Sequence, residues 1–146
     1  MNVFIGADHR GFELKNQLIE YLQQQNIRVQ DMGAHEYDGL DDNPLFAQKV
    51  ARAVLQDPEK NMGIVICGSA VGVSIAANRF KGIYCGLGFT TPQIKSARQH
   101  DHINVLAVPA EYVTLDQAKE MIDGFLSTST AHEEKYLRRL GQMDSV

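Results

Sequence analysis

Two rhythms alternate along the chain. Short apolar runs fit strands buried on both faces, and longer stretches return an apolar residue every three or four positions, as one face of a helix does. The run NVFIGA is followed by FELKNQLIEYLQQQ, in which Leu14, Leu18 and Leu22 fall four apart. IRVQDMG then alternates as a second strand. DDNPLFAQKVARAVLQ opens with Asn43 before Pro44, a helix-start signal, and carries a stripe of Ala47, Val50, Ala51 and Val54. MGIVICG reads as the third strand, VGVSIAANRF as a central helix and GIYCGLGF as the fourth strand. TTPQIKSARQH predicts a capped helix starting with Thr91 before Pro92, and NVLAVP a fifth strand. TLDQAKEMIDGFL begins with a Thr114–Gln117 capping box and puts Ala118, Met121, Ile122, Phe125 and Leu126 on one face. A last helix is expected to start at Thr130, with Glu133 as its capping partner.

Strands alternating with helices over short connections predict an α/β fold: a three-layer, Rossmann-like domain with a five-stranded, mainly parallel sheet flanked by helices. The 146 residues suit one domain, 1–146, able to bury a core without disulfides or structural metal. The net charge of −4, with no basic face beyond a short C-terminal cluster, argues against nucleic acid and anionic membranes. No apolar run approaches the ~20 residues of a membrane span, and no basic segment leads into a long apolar one near the N-terminus. A cytoplasmic protein is therefore expected. Cys67 and Cys85 can form at most one bridge, and in a reducing compartment both are free thiols.

In parallel α/β sheets ligands bind beyond the carboxyl ends of the strands. After the first strand come Asp8, His9 and Arg10; after the third, Cys67, Gly68, Ser69 and Gly72. If both strands are central, an acid, an imidazole, a guanidinium and a thiol share one crevice. Asp41 and Asp42, in the loop after the second strand, either face that crevice or are solvated. A thiol near a helix N-terminus is favoured as thiolate, and the amides freed by Gly68 and Gly72 form a nest for an oxyanion or phosphate. Equally, a cysteine ending a buried strand is a common small hydrophobe, and the residues alone leave both readings open. Cys85, inside the fourth strand pattern, reads as packing. GSAVG lacks both the dinucleotide fingerprint and the P-loop lysine, so NAD and ATP are unsupported and no cofactor is expected.

His100, Asp101, His102 and Asn104 precede the fifth strand. Alternate histidines of a loop converge poorly on a metal, and none is expected. Either can carry protons. His100 precedes its strand, however, and so belongs to the sheet edge opposite Cys67; a symmetric dimer would bring the two together.

GADHRGFELK, DNPLFAQKVA, GIVICGSAVGVSIAANRFKGI and SARQHDHINVLAV together resemble, in order and spacing, the ribose-5-phosphate isomerase B family, which includes the galactose-6-phosphate isomerase subunits. The resemblance spans residues 2–128. It implies a metal-free, cofactor-free aldose-ketose isomerase acting through a cis-enediolate on a small sugar phosphate. Cys67 then matches the base, the loop of Gly68, Ser69, Ala70, Val71 and Gly72 the group that stabilises the enediolate, and the Ser69 hydroxyl a proton-relaying acid. His100 matches the ring-opening histidine, Asp8 the carboxylate that binds sugar hydroxyls, and His9 an imidazole near the phosphate. Family sites lie between two subunits, so the resemblance implies a homodimer with shared sites, with pairing into tetramers left open. It also makes residues 130–146 a helix that packs on a partner.

Several positions depart from the family pattern. Asp101 follows the ring-opening histidine in place of the usual asparagine, and Glu111 stands where many members carry arginine. In the tail, an ungapped alignment leaves Arg138 as a phosphate-binding arginine and sets Glu134 where the other would be. Arg10, Lys135 and Arg139 are the candidate replacements. These departures keep three hypotheses alive: interconversion of ribose 5-phosphate and ribulose 5-phosphate, the same chemistry on a tetrose, hexose or deoxy sugar, and a non-catalytic sugar-phosphate binder. The third has no need of a thiol beside an anion nest.

Overall fold

The computed structural model describes residues 1–146. The chain alternates β1 (Asn2–Ala7), α1 (Phe12–Gln24), β2 (Arg28–Asp31), α2 (Asn43–Gln56), β3 (Asn61–Cys67), α3 (Val71–Asn78), β4 (Cys85–Leu87), α4 (Thr91–Asp101), β5 (Val105–Pro109), α5 (Leu115–Ser127) and α6 (Glu134–Asp144). The strands form one sheet in the order β2-β1-β3-β5-β4. Every neighbouring pair is parallel. β3 lies at the centre, and all seven of its residues are buried.

Strand alternation sorts side chains into two cores. Ile64, Ile66, Leu106 and Val108 face α1, α4 and α5, where Leu18, Ile94, Ile122 and Phe125 cover them. Val65, Cys67, Val105 and Ala107 face α2 and α3, against Ala47, Val50, Val54, Val73 and Ala77. Each large apolar side chain so enclosed contributes about 1.5–3 kcal/mol. The second core is built largely of alanine and valine, which lets α2 and α3 lie close to the sheet end that carries Cys67.

Within the first helix, Lys15 is fully buried, a placement that the leucine stripe does not announce. Its ammonium donates to Asp31 Oδ2 at 2.7 Å and Asn16 Oδ1 at 3.1 Å. Asp31 Oδ1 in turn accepts from the Gly33 amide. This ion pair fixes α1 to the carboxyl end of β2.

Helices α2 and α4 begin at Asn43 and Thr91 as the sequence predicts, each with its N-cap one residue earlier, whereas the last helix begins later than expected. Asp42, not Asn43, is the N-cap of α2, leaving Asn43 and Pro44 inside the first turn. Thr90, one residue before Thr91, caps α4 through a capping box with Gln93. The box at Thr114 and Gln117 stands as expected. The last helix begins at Glu134 rather than Thr130, with Glu133 as N-cap. The segment before it is strapped to α4: the Ala131 amide donates to Gln99 O at 2.8 Å, and His102 Nε2 donates to Ala131 O at 2.7 Å. With those groups spent on α4, the chain turns helical only beyond them.

Candidate active site

The carboxyl ends of β1 and β3 meet as the parallel topology requires. Asp8, directly after β1, is 3% exposed. Its Oδ1 accepts from the amides of Arg10 and Gly11 and so shapes the turn into α1. Burial raises the Asp8 pKa above the usual carboxylate value; the two amides and His9 oppose that rise, and Asp41 adds to it. Of the two loop acids, Asp41 faces the crevice, while Asp42 is exposed at the helix cap. Asp41 Oδ1 accepts from the His9 backbone N–H at 2.9 Å and from His9 Nδ1 at 2.8 Å. That bond places the proton of a neutral imidazole on Nδ1 and leaves Nε2 free to accept. Tyr37 meets the His9 ring edge-on at 6.5 Å.

Cys67 ends β3, 4% exposed, among the small residues of the second core. The chain then turns through Gly68, Ser69 and Ala70 into α3. Ala70 takes the left-handed conformation, φ 62°, at the N-cap. This costs an alanine about 1 kcal/mol and swings the loop amides out of the strand direction. Ser69 is exposed, and its Oγ accepts from the Val71 amide at 3.3 Å. A Cβ at Gly72 would stand 2.6 Å from Asn43 Oδ1, so any side chain there would have to displace the Asn43 amide. Asn43 Oδ1 and Asp41 Oδ2 are both buried without a hydrogen-bond partner. The sequence offered Asp41 for this crevice but read Asn43 only as a helix-start signal, so the buried Asn43 acceptor is the one it did not foresee.

Arg10 arches over the loop. Its Nε lies 2.7 Å from Glu111 Oε1. Glu111, a departure that by itself removes positive charge from this end of the sheet, is thus paired with a cation from the turn after β1. Cys85 takes no part: burial pushes its thiol up to about 12, although Ser74 bonds to it.

The other sequence candidates lie at the amino edge. His100 occupies the last turn of α4, not a loop, and His102 is its left-handed C-cap. Ser96 Oγ pairs with His100 Nδ1 at 3.2 Å, and Tyr136 of α6 stacks on the ring at 4.5 Å. Asp101 is exposed. Arg138 donates to Glu134 at 2.6 Å, while Lys135 and Arg139 flank the Tyr136 ring. Asn104 is structural, bonding the Tyr84 amide and the Gly82 carbonyl. At about 3.3 Å per residue, the length of β5 alone sets His100, Asp101 and Arg138 well away from Cys67 within one chain. Asp8, His9 and Asp41 are a group of metal-ligating type, with ligand atoms within 4.8 Å of one another. The His9–Asp41 hydrogen bond already engages two of these groups with each other.

A thiol, a buried carboxyl and an anchored imidazole around open loop amides, at the carboxyl edge of a parallel sheet, define a small-molecule enzyme on a Rossmann-like scaffold. The sequence profile described as Ribose/Galactose Isomerase matches residues 3–143. A probable ribose-5-phosphate isomerase B of Mycoplasma genitalium is 39% identical over 128 residues, covering 88% of this chain and 84% of its own. Ribose-5-phosphate isomerase B of Mycolicibacterium paratuberculosis is 35% identical over 140 residues, 96% of this chain and 87% of its own. Among solved structures, the M. genitalium enzyme with bound ribulose-5-phosphate superposes with a TM-score of 0.94 at 36% identity, over 99% of this chain and 94% of that one. The Thermotoga maritima enzyme gives 0.93 at 34% identity, over 99% and 98%. The chain belongs to the ribose/galactose isomerase family.

Proposed function

We propose that this isomerase interconverts ribose 5-phosphate and ribulose 5-phosphate, a step of the pentose phosphate pathway, through a cis-enediolate. The observation that carries the reading is the joint placement of Cys67 and the Gly68–Gly72 amides at the end of β3, beside Asp8 and His9. The ribulose-5-phosphate bound in the M. genitalium structure supports the choice of sugar.

His100 opens the furanose ring through Nε2, the nitrogen that Ser96 leaves free. Cys67 takes the proton from C2, and the C–H electron pair forms the C1–C2 double bond while the carbonyl electrons move onto O1. The loop amides of Gly68, Ser69, Ala70, Val71 and Gly72 hold the negative oxygens. The Ser69 hydroxyl relays the proton between O1 and O2, and Cys67 returns its proton to C1. Asp8 accepts from sugar hydroxyls, and His9, Arg10, Asp101 and Arg138 line the rest of the site.

The His100 that serves each Cys67 is the partner subunit's His100, so the working unit is a homodimer. Two features support this: His100 and Cys67 occupy opposite sheet edges, and α3 leaves Val71 and Ile75 49% and 60% exposed beside the site. Helix α6 has no buried residue in the single chain, which suits residues 130–146 to packing on a partner. No helix is long and apolar enough to cross a membrane. The cytoplasm is the proposed compartment, in keeping with two free cysteines.

A rate assay on purified protein with ribose 5-phosphate, following ketose formation, tests the reading. Turnover should fall about 10³-fold in Cys67→Ala with the fold intact. A folded dimer without turnover would point to another aldose phosphate. The Glu134–Arg138 pair, which occupies one of the tail cations, favours that second reading.

A further inference from the structure

Helix α6 buries no residue, yet it is pinned to its own subunit at both ends and near its middle. Before its start, His102 Nε2 donates to Ala131 O at 2.7 Å and the Ala131 amide to Gln99 O at 2.8 Å. At its far end the Tyr84 hydroxyl donates to Asp144 Oδ2 at 2.6 Å. Between these anchors, Tyr136 lays its ring on the half-buried His100 imidazole, with 4.5 Å between centroids and the planes 10° from parallel. The head groups of Lys135 and Arg139 lie 4.9 and 5.9 Å from the Tyr136 centroid and favour one orientation of the phenol. A histidine in the last turn of a helix has two side-chain torsions to settle. Ser96, one turn earlier on α4, engages His100 Nδ1 at 3.2 Å. That single bond fixes the place of Nδ1 but lets the ring swing about it. The Tyr136 plane removes the swing, and the direction of Nε2 is then set.

The geometry points to Tyr136 as the positioning residue of the ring-opening step, holding the His100 plane so that Nε2 meets the anomeric hydroxyl; the assignment rests on the isomerase reading above. In that step Nε2 takes the proton of the O1 hydroxyl, and the O–H electron pair forms the C1 carbonyl. The C1–O4 bond breaks, and its electron pair stays on O4, which takes up the proton as a hydroxyl. A proton carrier works only when aligned within hydrogen-bond reach, so a loose imidazole slows this step. The enediolate steps, which use Cys67 and the loop amides, are untouched by it. Tyr136 and His100 belong to one chain and so enter the shared site together. With no residue of α6 buried, substitutions at Tyr136 should leave the fold intact.

The test sets Tyr136→Leu, Tyr136→Phe, His100→Asn and the Tyr136→Leu/His100→Asn double variant against wild type in two assays. The first is kcat/KM for ribose 5-phosphate, a furanose in solution. The second is deuterium wash-in at C1 of ribulose 5-phosphate. That ketose cannot close a five-membered ring, because its 5-hydroxyl carries the phosphate, so wash-in passes through the enediolate with no ring step. Tyr136→Leu should lower kcat/KM about tenfold and leave wash-in within about twofold of wild type. Tyr136→Phe, which keeps the aromatic face, should stay within about twofold in both assays. The double variant should be no slower than His100→Asn, because Tyr136 acts only through His100. Equal losses in both assays would show a role in packing, and an effect of Tyr136→Phe as large as that of Tyr136→Leu would assign it to the hydroxyl. Either result overturns the assignment, as does an unchanged kcat/KM in Tyr136→Leu or a double variant slower than His100→Asn. If the wild type turns over neither sugar phosphate, the isomerase reading with that sugar fails, and exchange between the two ribose 5-phosphate anomers, followed by NMR, still judges Tyr136. Wild type should speed that exchange well beyond Tyr136→Leu; equal speeding by both, or none by the wild type, overturns the assignment.

Discussion

The two ends of one parallel sheet hold their functional groups in different ways. At the carboxyl edge, Asp8 is clamped by two amides, His9 is gripped twice by Asp41, and Cys67 sits in a packed core. At the amino edge, His100 rests on Tyr136, Arg138 on Glu134, and α6 has no buried residue. The first set is finished within one chain. The second set is ordered but faces nothing in its own subunit to act on. The difference teaches that substitutions at the carboxyl edge should cost stability as well as activity, whereas those at the amino edge should cost activity alone.

The largest stability effect is expected at Asp31. Asp31→Ala strands the fully buried Lys15 ammonium, with only Asn16 left to accept from it, and should destabilise the fold by about 3 kcal/mol in urea denaturation. Lys15→Met, which removes the charge and fills the space, should cost far less; equal losses would show that the cost lies in losing the pair and not in a stranded charge. Next comes Asp41→Ala, which frees the His9 backbone and ring at once. KM for the sugar phosphate should rise about tenfold, since a charge-assisted hydrogen bond of about 1.5 kcal/mol no longer fixes the imidazole.

A smaller effect concerns pH. Asp8 has a folded-state pKa above its ordinary 3.8, so the native protein holds that proton more tightly than the unfolded chain does. Its contribution to stability is present in full below 3.8 and is lost as pH rises through the raised folded value. Asp8→Asn should flatten that part of the stability profile, as measured by thermal denaturation across buffers. Smallest of all, His100→Asn should leave stability within about 0.5 kcal/mol, as for a surface substitution. A large loss there would erase the distinction between the two edges.

The alternation of apolar runs and helical stripes was enough to predict the layers, because the inner strands β1, β3 and β5 are covered on both faces and their sequences show it. Cys67 and Asp8 were legible for the same reason: each directly follows or ends such a run. Long-range pairings were not. That Asp41 rather than Asp42 turns inward depends on where α2 is capped, and Asp42 takes that role. Lys15 looks like an ordinary helix lysine until Asp31, on a different strand, is placed beside it. Arg10 and Glu111 stand about a hundred residues apart in the chain, and only the strand order β1-β3-β5 makes them neighbours. The late start of α6 follows from bonds between residues 99, 102 and 131, which no local capping pattern records.

The central claim is that each working site joins the carboxyl edge of one chain to the amino edge of another, and mixing two inactive variants tests it most directly. Cys67→Ala and His100→Asn, each nearly inactive alone, should regain about a quarter of wild-type activity when unfolded and refolded together in equal amounts. Half the dimers would then be mixed, and each of these would contain one site with both residues intact. Activity no higher than that of the separate variants, with mixed dimers shown to have formed, would contradict the shared site.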